Sequence, residues 1–468
     1  MDLLLDKYYR NKDANTGALM KKMIIIGAGA AGLMAALSAS ERYNVTIIEK
    51  NEKAGKKIYI TGKGRCNLTN ACDQEEFMNS VVHNNKFLYS SLSAFDQKAV
   101  MELFESLGLP LKVERGSRVF PVSDRASDVT KALTDELKKR RVKILYNTEV
   151  REILTEDISE DAFEAADDGS DYVKASTGKR PEKRVIGVET SRGRFPADIV
   201  VVATGGLSYP TTGSTGDGLR FAEQLGLKVT TTYPALCPLN IKGEECKSMM
   251  GLSLKNVRAS FYAEHKAEVD EGESGGKKSG KNKKKQKPFY EDFGEMLFTH
   301  FGVSGPIVLS ASNYICDHDN DELYMVIDLK PALSIDELIA RIEKDFTAFH
   351  LREFSNSLGQ LLPRLMIPVV IERSGIKPDK KVSNISAEEI KRLAECLKNF
   401  RLDIIGLRSY NEAIITRGGV AINEINPKTM EAKRVEGLRF AGEVIDVDAK
   451  TGGFNLQIAW STGYAAGR

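Results

Sequence analysis

A chain of 468 residues with 42% hydrophobic residues has material for two or three cores, and a net charge of +2 gives no bulk attraction to nucleic acid or an anionic membrane. No apolar run approaches the roughly 18 residues needed to span a bilayer, and the N-terminal MDLLLDKYYRNKDANTGALMKK lacks the basic-then-apolar order of a signal peptide. Six cysteines without CxxC spacing and five scattered histidines without HExxH exclude a zinc or dithiol signature and fit free thiols in a reducing cytoplasm.

Residues 1–21 read as a weakly structured extension. Met23–Ile26 is a short apolar run suited to a buried parallel strand; three glycines, an alanine-rich helix and a second strand, Val45–Ile48, follow. Val129, Leu133 and Leu137 recur four apart and predict a helix over 128–141 with Asp128 as its cap; Val142–Tyr146 is the next strand. Eight acidic residues between 156 and 171 mark a solvated insertion in a hairpin, spanning about 156–184. Asp198–Ala203 is a further buried strand running into Thr204-Gly205-Gly206.

From 227 to 330 short β-like runs dominate, interrupted by a loop at 265–288 with seven lysines between 277 and 287, read as a solvated hairpin loop. Helical patterns fill 331–401, with Ser334 and Ser386 as N-caps and acidic first turns. The last stretch, from 402, returns to strands and glycines. One domain is therefore expected from both ends, 22–226 with 402–468, and the rest is inserted.

Gly27-Ala28-Gly29-Ala30-Ala31-Gly32 is a GxGxxG placed between an apolar strand and a helix, with Glu49 ending the next strand 22 positions after Gly27. Gly27 permits the tight turn, Gly29 lets a pyrophosphate approach the backbone, and Gly32 lets helix and strand pack. The helix start offers amide groups and a positive dipole end, and Glu49 can accept from a ribose. Three features favour FAD over NAD: the DIVVVATGG strand and turn, a second glycine-opened helix in GEVIDVDAKTGGFN with Gly442, Glu443, Asp446 and Gly453, and the presence of only one GxGxxG. The expected fold is α/β: a Rossmann-type FAD-binding domain with an inserted β-rich, barrel-like domain and a small helical domain.

The motifs GAGAAGL, GKKIYITGKGRCNLTN, FPVSDRASDV, VVATGGLSYPTTGSTGDG, FTHFGVSGPIVL and GEVIDVDAKTGGFNLQIAWSTG resemble those of the HI0933-like flavoproteins, relatives of aminoacetone oxidase and 3-dehydro-bile acid Δ4,6-reductase, from about residue 22 onward. The resemblance implies three domains and FAD contacts at Ala30, Ala31, Glu49, Lys50, Arg65, Asn67, Val150, Thr204, Gly205, Gly442, Asp446, Asn455 and Leu456. Beside these, Gly62 and Gly64 would let the backbone bend near the cofactor, Arg65 would offset phosphate charge, and Cys66 is read as a packed thiol. With the chain ending soon after Gly463, the last helix is expected to be short.

The expected reaction is hydride delivery from NAD(P)H, bound transiently for want of a second fingerprint, to flavin N5 and on to a conjugated C=C of a 3-oxo steroid-like, hydrophobic substrate in a cleft between domains. Tyr209, His300 and the amides of 302–305 are candidate donors to the ketone oxygen, and no residue is assigned as catalytic. An amine or amino-ketone oxidase and a non-catalytic flavoprotein that binds RNA through the lysine loop are the alternatives. A membrane partner is not expected, and nucleic acid is disfavoured.

Overall fold

The computed structural model describes residues 20–158, 181–265, 286–318 and 321–468. The N-terminal extension and most of both charged inserts lie outside them. In chain order, the elements used below are β1 (Lys22–Ile26), α1 (Ala30–Ala39), β2 (Asn44–Ile48), α2 (Ala126–Lys139), β3 (Lys143–Leu145) and β4 (Ile199–Val202). Then come β5 (Leu239–Ile241), β6 (Ser253–His265), β7 (Tyr290–Phe298), β8 (Gly302–Ser304), α3 (Pro306–Ile315) and β9 (Asp321–Asp328). The remaining ones are α4 (Ile335–Ala348), α5 (Ile367–Ser374), α6 (Ala387–Lys398), β10 (Phe400–Leu407), β11 (Leu438–Phe440) and α7 (Phe454–Gly467).

The chain forms two compact units, 1–233 with 414–468, and 234–413. The first is built on a parallel sheet in the order β11-β4-β1-β2-β3. β4 is buried at every position, and β1 at all but its first, as expected of strands covered on both faces. Beside this sheet, Val150–Asp157 pairs antiparallel with Lys183–Thr190. The acidic insert thus joins two strands of a hairpin, although 159–180 themselves are outside the described residues.

Two expectations about helices shift. α2 starts at Ala126 with the extended Arg125 as its cap, so Asp128 sits inside the first turn, where its charge faces the positive helix end instead of capping it. α7 is not short: it runs 14 residues. It crosses α1 at backbone distance. A methyl on Gly463 would meet the carbonyl oxygen of Ala31, and one on Gly467 that of Ala35. Ser38 Oγ donates to the Tyr464 carbonyl (2.9 Å) across the same contact.

The second unit is a closed barrel in the order β5-β8-β7-β6-β9-β10. β6 and β7 flank the lysine-rich loop as a hairpin, with 266–285 outside the described residues. Phe400, Leu402 and Ile404 point inward while Arg401, Asp403 and Ile405 face solvent, the period-2 pattern of a half-buried strand. β10 closes the barrel, so the chain rejoins the first unit at 414 and not at the expected 402. The helical stretch also shares one core with the barrel: Leu393 and Leu397 of α6 join Met325 and Ile327 of β9. Ser334 and Ser386 each form a capping box, with Glu337 and Glu389.

The glycine at the helix crossing makes a testable demand. Gly463→Ala should lower unfolding free energy by about 1–3 kcal/mol because the added methyl meets backbone. Gly359→Ala, with open space at its Cβ position, should change it by less than about 0.5 kcal/mol. Urea denaturation of the two variants measures both.

Candidate functional site

The carboxyl ends of β1, β2, β4 and β11, together with the amino ends of α1 and α7, wall a cavity of roughly 1330 Å³ that counts its solvent-open part. This is where open parallel sheets place ligands. Gly27 (φ +101°) makes the turn into α1, and a Cβ there would lie 2.6 Å from the Ala203 carbonyl oxygen. Gly29 has nothing within 4 Å of its Cβ position, so the backbone there faces open space. The first bond of α1 runs from Leu33 N to Gly29 O (2.9 Å), which leaves the amides of Gly29, Ala30 and Ala31 at the cavity wall without an intrahelical acceptor.

Glu49 is buried beside this helix start. Its Oε2 accepts from Ala28 N (2.7 Å), and its Oε1 accepts from Asn51 N (2.8 Å) and Asn51 Nδ2 (2.7 Å). A carboxylate fixed by three donors keeps lone pairs for a ribose. Lys50 Nζ reaches Asp217 Oδ2 (2.6 Å) and Thr215 Oγ1 (2.5 Å), and Asn51 Nδ2 donates to the Thr212 carbonyl (3.1 Å). The segment after β2 is thereby tied to the turn after β4.

Of the expected site residues, Gly27, Gly29, Ala30, Ala31, Glu49, Lys50, Val150, Thr204, Gly205, Gly442, Glu443, Asn455 and Leu456 line the cavity. Asn455 does so with its side chain already used, bonded to Ala449 N (3.0 Å), Ala449 O (2.8 Å) and Lys450 O (3.2 Å). The group it leaves open at the cavity wall is the helix-start backbone.

Six expected residues lie outside the lining. Gly32 and Gly453 are packing glycines whose Cβ would strike the carbonyl oxygens of Gly27 and Thr69. Gly64 is exposed in a left-handed turn (φ +86°). Arg65 does not offer its charge to the cavity: its guanidinium forks onto Glu114 (3.0 and 2.7 Å), approaches Asp124 (3.3 Å) and stacks over Phe120. Asp446 turns toward Thr230; burial pushes its carboxyl above the usual range, with the Thr230 hydrogen bond opposing. Asn67 keeps a buried Oδ1 without a hydrogen-bond partner among the described residues.

Tyr209 and His300 do not line the cavity either. Tyr209 holds a left-handed turn (φ +51°), and His300 is exposed, edge-on to Phe301. Gly302 and Gly305 serve close packing against Leu239 and Met296. Among the described residues, no three His, Cys, Asp or Glu side chains gather to hold a metal.

Sequence reasoning missed Lys57, Ser208 and Thr416. Lys57 and Thr416 line the cavity. Lys57 Nζ donates to Glu443 Oε2 (2.5 Å) and Ser208 Oγ (2.5 Å). Glu443 Oε1 also accepts from Ser208 Oγ (2.6 Å) and Thr416 N (2.8 Å). The available signal was the lysine pair in the quoted GKKIYITGKG, which reads as ordinary loop charge when only the glycines are weighed.

The cavity fits FAD on its own features: open backbone at Gly29, a poised acid at Glu49 and two helix starts on one wall. The model of the HI0933-like protein Rossmann domain matches residues 21–468. The chain belongs to the HI0933-like family. It is an FAD-dependent oxidoreductase of that family.

Relatives match along nearly their whole length. A 3-dehydro-bile acid Δ4,6-reductase from Clostridium scindens is 29% identical over 96% of this chain and 98% of its own. A ribosomal RNA dihydrouridine synthase from Haemophilus influenzae is 31% identical over 94% of this chain and 96% of its own. Among solved structures, a 3-ketosteroid Δ1-dehydrogenase from Sterolibacterium denitrificans is similar with TM-score 0.48 and 12% identity, over 96% of this chain and 98% of that one.

Two measurements probe the site. Glu49→Ala removes an acceptor used by two backbone amides and open to a ribose, so FAD affinity should fall about 10- to 100-fold, or roughly 1–3 kcal/mol, in a fluorescence titration. Burial pushes the thiols of Cys66, Cys237 and Cys246 up to about 12. At pH 8 these three are protonated and should resist a disulfide reagent in the native protein, then react in denaturant. Rapid native labelling of Cys66 would contradict its role as a packed thiol.

Proposed function

We propose that this protein reduces a carbon–carbon double bond conjugated with a carbonyl, using NADH or NADPH as reductant and FAD held in the cavity of the first unit. The observation that carries the reading is a shared transformation. The bile-acid reductase and the dihydrouridine synthase, matched over at least 94% of this chain, both have names that describe saturation of such a bond. Bound FAD supplies the hydride chemistry. The chain's own residues bind and orient: Glu49 takes the ribose, the amides at Ala30 and Ala31 the phosphates, and the α7 start the electron-rich edge of the ring system.

The first substrate reading is a 3-oxo steroid of the bile-acid type. A uridine of ribosomal RNA is the second, favoured because relatives from both Haemophilus influenzae and Escherichia coli bear that name, at 31% and 29% identity. The uracil ring offers the same electronic arrangement, a double bond next to a carbonyl, so one cofactor site serves either substrate. No helix among the described residues is long and apolar enough to cross a membrane. No disulfide joins any of the six cysteines, which supports placement in a reducing cytoplasm.

Anaerobic stopped flow tests the reading. NADH or NADPH alone should bleach the bound flavin, and a 4-en-3-one steroid or an unmodified ribosomal RNA transcript should then restore its colour. Colour restored by only one of the two chooses between the substrates. Bleaching by amines but not by either nicotinamide cofactor would point to an oxidase and overturn the proposal.

A further inference from the structure

The lysine that sequence reasoning missed stands at a defined end of the cavity. Across the parallel sheet the order is β11-β4-β1-β2-β3. Glu49 follows β2, the helix start of α1 follows β1, Ser208 lies beyond the end of β4, and Glu443 lies beyond the end of β11. Neighbouring strands are about 4.8 Å apart, so β2 and β11 are separated by roughly 14 Å. A dinucleotide with its ribose on Glu49 and its phosphates on α1 therefore carries its ring system toward the β4–β11 end. Lys57 is anchored there, through Ser208 and Glu443.

The anchorage is tight. Ser208 is fully buried, its backbone N–H donates to Thr416 Oγ1 (3.0 Å), and its hydroxyl lies between the ammonium and the carboxylate. Glu443 takes three donors in all, from Lys57, Ser208 and the Thr416 backbone. An ammonium carries three N–H donors. Two are used by these partners, and Lys57 faces the cavity.

We propose that Lys57 is the cation facing the flavin half of bound FAD, and that Glu443 and Ser208 are positioning residues that set how much of its charge the ring system feels. The proposal rests on the reading that FAD occupies this cavity. Full reduction of FAD takes two electrons and one proton and leaves a negative charge on the ring system. A fixed cation nearby favours that state over the oxidised one, and a carboxylate paired with the cation moderates the effect.

The two partners should therefore act in opposite directions. Dithionite titration of the holoprotein with a reference dye, the dithionite supplying both electrons and water the proton, gives the midpoint potential. Lys57→Met should lower the preference for reduced over oxidised FAD about tenfold, which for a two-electron couple is a shift of roughly −30 mV. Glu443→Gln should raise the potential, and Lys57→Arg should leave it near the wild-type value. A purely structural role would weaken binding of both redox states alike and leave the potential where it was. The proposal fails if the Met and Gln variants shift the same way or neither shifts. Should Lys57→Met not retain FAD, Glu443→Gln decides alone, and an unchanged or lowered potential overturns it. A wild-type protein that binds no FAD at any concentration defeats the cavity reading itself, and this inference with it.

Discussion

The crossing of α1 and α7 is the contact on which the first unit depends. Small residues make it possible: Ala31 and Ala35 on one helix, Gly463 and Gly467 on the other. Backbone meets backbone, so ordering these positions costs almost no side-chain entropy. Arg42 and Ser38 add hydrogen bonds to carbonyls at the far end of α7. A methyl on Gly442 would lie 2.8 Å from the Ala31 Cβ, so the turn after β11 is seated on the same alanine. The two chain ends are thereby locked in a geometry that puts two helix starts on one cavity wall. An anionic or electron-rich ligand reaching one start also reaches the other.

α7 is buried along almost its whole length, so its polar side chains need internal partners. They have them. Trp460 Nε1 donates to the Leu68 carbonyl (2.9 Å), Ser461 Oγ to the Phe95 carbonyl (2.6 Å), and Gln457 accepts from Thr69 Oγ1 (2.6 Å). These bonds hold the segment after the GKGRCN turn against the helix. The helix that opens onto the cavity is thus held by pieces more than 360 residues earlier in sequence, each satisfied by the other.

The sequence was most legible where the physics is local. Strand, glycine turn, helix, strand and acid fall within 28 residues, from Lys22 to Glu49, and each piece has its own signature. Ser334 and Ser386 were readable for the same reason, because a capping box closes within four residues. Non-local pairing was not readable. Arg65 looks like a phosphate ligand until Glu114, Asp124 and Phe120 are placed around it. β10 follows a helical stretch and alternates cleanly, yet nothing in its residues says whether it joins the parallel sheet or closes the barrel. Lys57 meets Glu443 at a separation of 386 positions, which no spacing rule reaches.

That last pair is better understood through orientation than through stability. Its side chains are about one-fifth exposed, at 23% and 20%. A partly buried ion pair surrenders much of its Coulomb gain to desolvation, and an apolar replacement of similar volume is often as stable. What an apolar pair cannot do is hold a donor at a fixed point on a ligand wall. The carboxylate here is satisfied by Ser208 and by the Thr416 amide as well as by Lys57, so it is rigid before any ligand arrives. Rigid donors need no reorganisation when charge develops in front of them, and that is the property a redox cofactor site draws on.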